Sequence, residues 1–230
     1  MKVMTYNLQH CLDYKRRVID FDAMADSIKL YNADIVGLNE MRDAGTDPDY
    51  KDQVKILAEK AGYPYYFFAK AIDFDGTNPY GNGFLSKLPI VNAEVIHIPD
   101  PDPKTGTEYY EHRCLLKAQL EGGFTVLVTH FGLNKDEQEN AVKTITDNIA
   151  SEKCILMGDF NITPDNELLN PIKTKMCDAA DMLNAPLLSW PSDEPRIKID
   201  YIFVSPDLNV KFADIPANTT SDHRPHIAEI

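Results

Sequence analysis

Cys154-Ile155-Leu156-Met157-Gly158-Asp159-Phe160-Asn161 is a short apolar run that ends in polar chemistry. Four consecutive apolar residues fit a strand buried on both faces. The glycine frees the backbone to turn and lets a ligand come close. Asp159 and Asn161 are two residues apart, so in extended backbone they point the same way. An ionised aspartate can orient an attacking water, and an asparagine amide can donate to charge developing on a phosphoryl group. An ordinary Asp/Asn turn would use the same residues, so the rest of the chain has to decide.

The rest of the chain repeats the arrangement. Asn7 closes the apolar run 2–8, Glu40 directly follows 34–39, and His130 ends 124–130. Asp200 sits within the apolar run 196–203, and Ser221-Asp222-His223-Arg224-Pro225-His226 sets an acid beside an imidazole. Polar groups that cap strands at one edge of a sheet build a site. A carboxylate in Glu40's position can hold Mg²⁺, which takes hard oxygen ligands. Asn7 can bond a phosphate oxygen or the water shell of a metal, or simply cap a turn. His130 can donate to a phosphate or, if protonated, offset its charge. An acid in Asp200's apolar run is costly unless paired. His223 is its natural partner, because a carboxylate fixes the imidazole tautomer. Asp222 is then free to face a metal, while His226 is expected to be structural. Arg113 opens an apolar strand, where a phosphate contact and a salt bridge fit equally well.

With 230 residues the chain is long enough for one large domain, and candidate site residues from both ends argue for a single domain over 1–230. Its 43% hydrophobic and 26% charged residues are ordinary for a globular protein. No apolar stretch approaches the roughly 20 residues that span a bilayer. Met1-Lys2-Val3 enters the first strand directly, without a signal-peptide core. The four cysteines show neither CxxC nor zinc-ligand spacing, which suits reduced thiols. The expectation is a cytoplasmic monomer. Against 23 basic residues stand 36 acids, a net charge of -13. Nucleic-acid binders draw affinity from neutralised phosphates, so this balance disfavours them. Lys15-Arg16-Arg17 is the one notable basic cluster, and it reads as a solvated face.

Periodicity predicts helices over 21–31, 50–61 and 135–150, and strands over 2–8, 34–39, 65–69, 84–86, 91–98, 113–120, 124–130, 154–157, 198–204, 210–212 and 227–230. Residues 73–83, rich in Gly, Asn, Asp and Pro, read as a loop. Strands linked both by hairpins and by helices imply mixed sheets in a layered α/β (α+β) fold.

In this order the motifs resemble those of the endonuclease/exonuclease/phosphatase superfamily, the DNase I-like fold. Met4-Thr5-Tyr6-Asn7 is similar to its first motif and Val36-Gly37-Leu38-Asn39-Glu40 to its metal-binding motif, although Asn39 stands where that family more often has Gln. Tyr80-Gly81-Asn82-Gly83-Phe84-Leu85-Ser86-Lys87 resembles its central segment. Thr129-His130-Phe131, Gly158-Asp159-Phe160-Asn161, Ile199-Asp200-Tyr201-Ile202 and Ser221-Asp222-His223-Arg224-Pro225 follow its later motifs. The likeness covers nearly the whole chain and resembles the compact bacterial members. It implies a four-layered α/β sandwich of two mixed sheets flanked by helices. It also implies phosphoester hydrolysis that depends on Mg²⁺ or Mn²⁺. Glu40 would be the main metal ligand, with Asn7 and Asp222 nearby. Asp159 would orient the water, Asn161 would bind phosphoryl oxygens, Asp200 would orient His223, and His130 would face the phosphate. Asn82 and Asn7 are placed with the phosphate too.

The leading expectation is a hydrolase of a small-molecule, lipid-headgroup or nucleotide phosphoester. A nuclease or abasic-site repair enzyme would share the machinery and differ in its binding surface, and no long basic or aromatic insertion is present to engage a DNA groove. A non-catalytic binding module should have lost one of Glu40, Asp159, Asn161, Asp200 or His223, and all are present. Ser189-Trp190-Pro191-Ser192 and Tyr109-Tyr110-Glu111 lie near site motifs, where substrate contact and simple loop packing both fit.

Overall fold

Two helical crossovers set the architecture. Strand β1 (Lys2–Asn7) leads through α1 (Phe21–Tyr31) to β2 (Ile35–Arg42), and β1 and β2 pair in parallel with Asn7 opposite Asn39. A parallel pair cannot be closed by a tight turn, so the connection needs a crossover, and α1 provides it. Asp20 caps this helix by accepting from the Ala23 amide, and Met24, Ala25 and Ile28 form its buried face. The second half repeats the plan. β7 (Thr125–His130) leads through α3 (Lys135–Thr146) to a parallel β8 (Cys154–Asp159), with His130 opposite Asp159. The computed structural model describes residues 1–182 and 187–230.

Around the first pair, α2 (Gln53–Ala61) is followed by the hairpin of β3 (Tyr65–Phe74) and β4 (Asn78–Ser86). The C-terminal β11 (Phe212–Asp214) and β12 (His226–Glu229) complete a six-stranded sheet, ordered β11-β12-β1-β2-β4-β3. Around the second pair lie β5 (Ile90–His97), β6 (Cys114–Leu120), β9 (Cys177–Asp178) and β10 (Asp200–Val204), ordered β5-β6-β7-β8-β10-β9. Two one-turn helices, α4 (Asn170–Lys173) and α5 (Ala179–Met182), flank β9.

Three apolar clusters define four layers. Val3, Ile35, Phe84, Val128, Met157 and Ile202 fill the space between the sheets. Met4, Tyr6, Ile28, Leu38 and Leu57 join the first sheet to α1 and α2. Leu127, Phe131, Ile145, Phe160 and Tyr201 join the second sheet to α3 and α4. The alternation along β1 explains the sorting: Val3 faces the other sheet, and Met4 and Tyr6 face the helices. The chain is thus the sandwich of two mixed sheets that its motifs imply.

Several boundaries differ from the sequence reading. Residues 73–83 are mostly strand, and only Asp75-Gly76-Thr77 turn, with φ of 53° at Asp75 and 76° at Gly76. Turn-forming residues dominate that composition, but Phe74 and Tyr80 pack edge to face across the hairpin. Gly81 is required inside the strand: a Cβ there would lie 2.0 Å from the Ala69 carbonyl oxygen. Helix α2 starts at Gln53 rather than residue 50, because Asp52 caps it through the Lys55 amide. Helix α3 stops at Thr146 rather than residue 150.

The two sheets are bolted together by Asn39. Its amide donates to Asn82 Oδ1 at 2.9 Å and to the Thr129 carbonyl at 2.8 Å, while its Oδ1 accepts from the Asp159 amide at 3.0 Å. All four residues are buried. Asn39→Ala removes three bonds and strands buried partners, each at about 1–3 kcal/mol. We expect a loss of roughly 3 kcal/mol or more in urea unfolding with EDTA present. A loss below about 1 kcal/mol would contradict the bolt.

Candidate active site

The C-terminal ends of the two parallel pairs meet at one edge of the sandwich, where such strands present ligand sites. β2 bulges between Leu38 and Met41, and Glu40 takes a left-handed φ of 61° there. A non-glycine residue so placed is strained, and such strain gathers at functional positions. The bulge turns the Glu40 carboxylate to the Asn7 amide, which donates to Oε1 at 3.0 Å. The same amide donates to Asp159 Oδ2 at 3.1 Å. The Asn7 carbonyl instead accepts from the Gln9 amide. Asn7 therefore ties two carboxylates together by N–H donation, and its oxygen faces away from both.

Asp159 is the point of convergence. It ends β8 one residue after Gly158, whose φ is 147°. A Cβ on Gly158 would sit 1.9 Å from the Thr129 carbonyl oxygen, so only glycine lets β8 approach β7 this closely. Asp159 Oδ1 accepts from the Asn161 amide at 2.9 Å, and Asn161 adopts φ 52° to close that small turn. Oδ2 lies 3.5 Å from His223 Nε2 and 3.6 Å from His130 Nε2. Burial pushes the Asp159 carboxyl up, against the pull of His223.

His223 bridges two carboxylates, with Nδ1 2.8 Å from Asp200 Oδ2. Burial opposes its charge, but Asp200 first and Asp159 next overcome that and push the ring to about 10. It is therefore an imidazolium with one N–H on Asp200 and the other toward Asp159. Asp159, Asp200 and His223 cluster within 4.8 Å, as a metal cage would. Nδ1 is hydrogen-bonded to Asp200 and Nε2 faces Asp159 at 3.5 Å, so the three groups form a relay of paired charges. Asp200 is pinned in turn, its backbone amide donating to the buried Ser189 hydroxyl at 3.3 Å.

His130 is set differently. Arg113 Nη1 donates to His130 Nδ1 at 2.9 Å. A guanidinium can only donate, so Nδ1 accepts and the ring proton sits on Nε2, facing Asp159. Burial, then Arg113 and His223, holds the ring well below the usual histidine range. His130 is a neutral donor rather than a cation. The Asn161 side-chain Nδ2 donates to the Phe131 carbonyl at 3.0 Å and lies 3.2 Å from His130 Nε2.

Other residues fall outside the convergence. Arg113, expected at a phosphate or in a salt bridge, is paired with Glu111 at 3.0 Å and spent on His130. Asn82, placed with the phosphate by the resemblance, is buried between the sheets, bonded to Asn39 and the Cys114 carbonyl. Asp222 accepts from the Ser221 hydroxyl, and its own carbonyl accepts from the Ser192 amide. His226 is buried with Nδ1 near the Asp200 carbonyl, and burial pushes it down to about 3. Of the loop residues weighed for substrate contact, Ser189 and Ser192 brace the Asp222–Arg224 turn, while Trp190 stays part-exposed.

The sequence names Asn39 and Tyr80 within motifs and Glu111 as a candidate substrate contact, but not the part each plays in the structure. Burial first, with Glu40 and Glu111, pushes the Tyr80 phenol well up, so it stays protonated beside the cleft. The run Tyr80-Gly81-Asn82 held the signal, but its composition read as loop.

The Endonuclease/Exonuclease/phosphatase family model matches residues 4–223. No curated protein matches the chain. Among solved structures, an endonuclease/exonuclease/phosphatase from Beutenbergia cavernae superposes with a TM-score of 0.77 at 22% identity, covering 99% of this chain and 70% of that one. Truncated Caenorhabditis elegans TDP2 gives 0.67 at 18%, covering 99% and 95%. Sphingomyelinase C from Streptomyces griseocarneus gives 0.67 at 17%, covering 99% and 98%. At these identities the likeness is one of fold.

Asp200→Asn removes the charge that holds the His223 proton. By NMR titration the ring should then titrate roughly 1–3 pH units lower. An unmoved titration would contradict the relay.

Proposed function

The chain belongs to the endonuclease/exonuclease/phosphatase family, a family of phosphoester hydrolases, and on that premise we propose that it hydrolyses a small phosphoester by direct attack of water. The observation that carries this reading is the convergence on Asp159 Oδ2 of Asn7, His130 and the His223 imidazolium. A phosphate placed there meets hydrogen-bond donors from four side chains, counting Asn161. Charge developing on its oxygens is stabilised by donors already in position, which lowers the barrier. Asp159 itself is the base that orients the water. Its burial raises its basicity toward neutrality, where a general base works best. Asp200 keeps His223 charged, and Arg113 keeps His130 as an Nε2–H donor.

The family implies a divalent cation, and Glu40 and Asp222 carry the donor chemistry that suits one. Glu40 and Asp222 offer only hard carboxylate oxygens, the donor set that Mg²⁺ or Mn²⁺ takes. Glu40 would be its principal ligand, with Asp222 beside His223 as the second. When bound, the ion would supply positive charge to the phosphoryl and leaving-group oxygens.

A small substrate is favoured over nucleic acid by the charge of -13. The named act of one fold neighbour, a sphingomyelinase, is in keeping with a lipid headgroup as one member of this substrate class.

Asp159→Ala should keep its fold by circular dichroism and lose about 10²–10⁴-fold in kcat on a small phosphodiester. Full activity would sink the assignment. Glu40→Gln should weaken Mn²⁺ binding in calorimetry by tenfold or so, whatever the substrate. Unchanged binding would move the ion elsewhere.

A further inference from the structure

Glu111 and Arg113 stand two residues apart just ahead of β6, and both side chains are turned in from the surface, each 13% exposed. A buried ion pair is a poor way to stabilise a fold, because desolvation of both charges offsets their attraction. Among the described residues neither side chain is tied into other structure. Glu111 Oε1 lies 3.0 Å from Arg113 Nη1 and has no hydrogen-bond partner, so their contact is one of charge. Arg113 Nε is buried without a partner, and the one hydrogen bond from the guanidinium runs from Nη1 to His130 Nδ1 at 2.9 Å. The pair thus ends on a single ring of the hydrolytic site. Stability does not account for it, and the ring does.

The surrounding backbone holds Glu111 in place. Its amide donates to Glu137 Oε1 at 3.3 Å. Glu137, itself buried, closes the cap of α3 by accepting from the Asn134 amide through Oε2 at 3.2 Å. Asn134 grips the same segment, its Oδ1 accepting from the Glu108 amide at 2.9 Å and its Nδ2 donating to the Glu108 carbonyl at 3.1 Å. A Cβ on Gly132 would come within 2.5 Å of the Glu137 carboxyl carbon, so the link between His130 and α3 closes tightly on Glu137. Residues 108–111 are therefore pinned to the helix that follows His130. His112, between the two charged residues, is exposed and pairs with Asp100 at 2.8 Å, which leaves Glu111 to face Arg113.

We propose that Glu111 is a positioning residue of the hydrolytic site: its carboxylate holds the Arg113 guanidinium against His130 Nδ1, and so keeps the His130 proton on Nε2, toward Asp159. The inference rests on the hydrolase reading and adds to it a residue that acts only through its neighbours. A guanidinium released by Glu111 has several rotatable bonds with which to leave His130. The neutral ring then has both tautomers open to it, and the Nδ1–H form presents a lone pair at Nε2 where an N–H stood. A donor aimed at developing phosphoryl charge becomes an acceptor, which opposes the transition state. A carboxylate thus stands behind each histidine, directly at His223 and through an arginine at His130.

The test uses the full chain, by nitrogen NMR of the histidine rings in EDTA and by turnover of bis(p-nitrophenyl) phosphate with Mg²⁺. In the unaltered protein His130 should show a protonated Nε2 and a bare Nδ1. Glu111→Gln keeps the shape and loses the charge, and should move His130 toward the Nδ1–H form while the His223 and His226 signals stay in place. It should lower kcat by about tenfold with KM unchanged, the scale of losing an orienting partner. Glu111→Asp, which keeps the charge, should lose less. In an Arg113→Met background Glu111→Gln should add nothing to either readout, because the path to His130 is already cut. If Glu111 merely stabilises the fold, Glu111→Gln lowers the urea midpoint and leaves the His130 tautomer and kcat as they were, and that result overturns the proposal. So does a Glu111→Gln effect that persists in full without Arg113. The ring signals are read without turnover, so an inactive protein would count against the hydrolase reading alone.

Discussion

A carboxylate that is 1% exposed at the meeting edge of two sheets cannot stay charged alone, and Asp159 is that carboxylate. An isolated buried charge costs several kcal/mol or neutralises itself. The surrounding structure is arranged to prevent this. Asn7 and the Asn161 amide each donate to Asp159, the Asn39 carbonyl holds its backbone amide, and His223 sets a positive charge beside it. His223 would itself lose its proton in so buried a place without Asp200. The chain of charges therefore runs from Asp200 through His223 to Asp159, and each link holds the next.

The two histidines beside Asp159 are assigned opposite states by what stands behind them. A carboxylate behind His223 makes it a cation, and a guanidinium behind His130 keeps it neutral. Both present an N–H to the same point, one as a charge and one as a directional donor. Arginine is the suitable residue for the second task, because it cannot accept a hydrogen bond and so leaves the tautomer no choice.

Much of this was legible in the sequence. Glu40, Asp159 and Asp200 could be found because each sets a costly polar group at or within an apolar run, and His223 because it stands beside Asp222 and is the natural partner for Asp200. That the sheets are mixed could be read because some short apolar strands are linked by hairpins and others by helical periods. What could not be read was which polar group answers which. Arg113 had a phosphate and a carboxylate equally open to it, and the choice depends on Glu111, which reaches it from a loop. Asn39 looked like a mild substitution in a metal motif, yet it bolts the sheets, a role that exists only once β2 lies across from β7 and β8. The strand that carries Tyr80 and Asn82 was concealed by the composition of residues 73–83, where glycines needed for close strand contact resemble those of a loop, and so was the place of Asn82 between the sheets rather than at a phosphate.

The most direct test of a metal-assisted, water-attacking site at Asp159 is turnover on a matched set of substrates. A small phosphodiester, a phosphomonoester, a lipid phosphodiester and plasmid DNA would be assayed with Mg²⁺ and again with EDTA. The account predicts Mg²⁺-dependent cleavage of one or more of the small or lipid esters, abolished by EDTA, with plasmid left intact. Turnover indifferent to EDTA, or efficient nicking of plasmid with the small and lipid esters untouched, would contradict it.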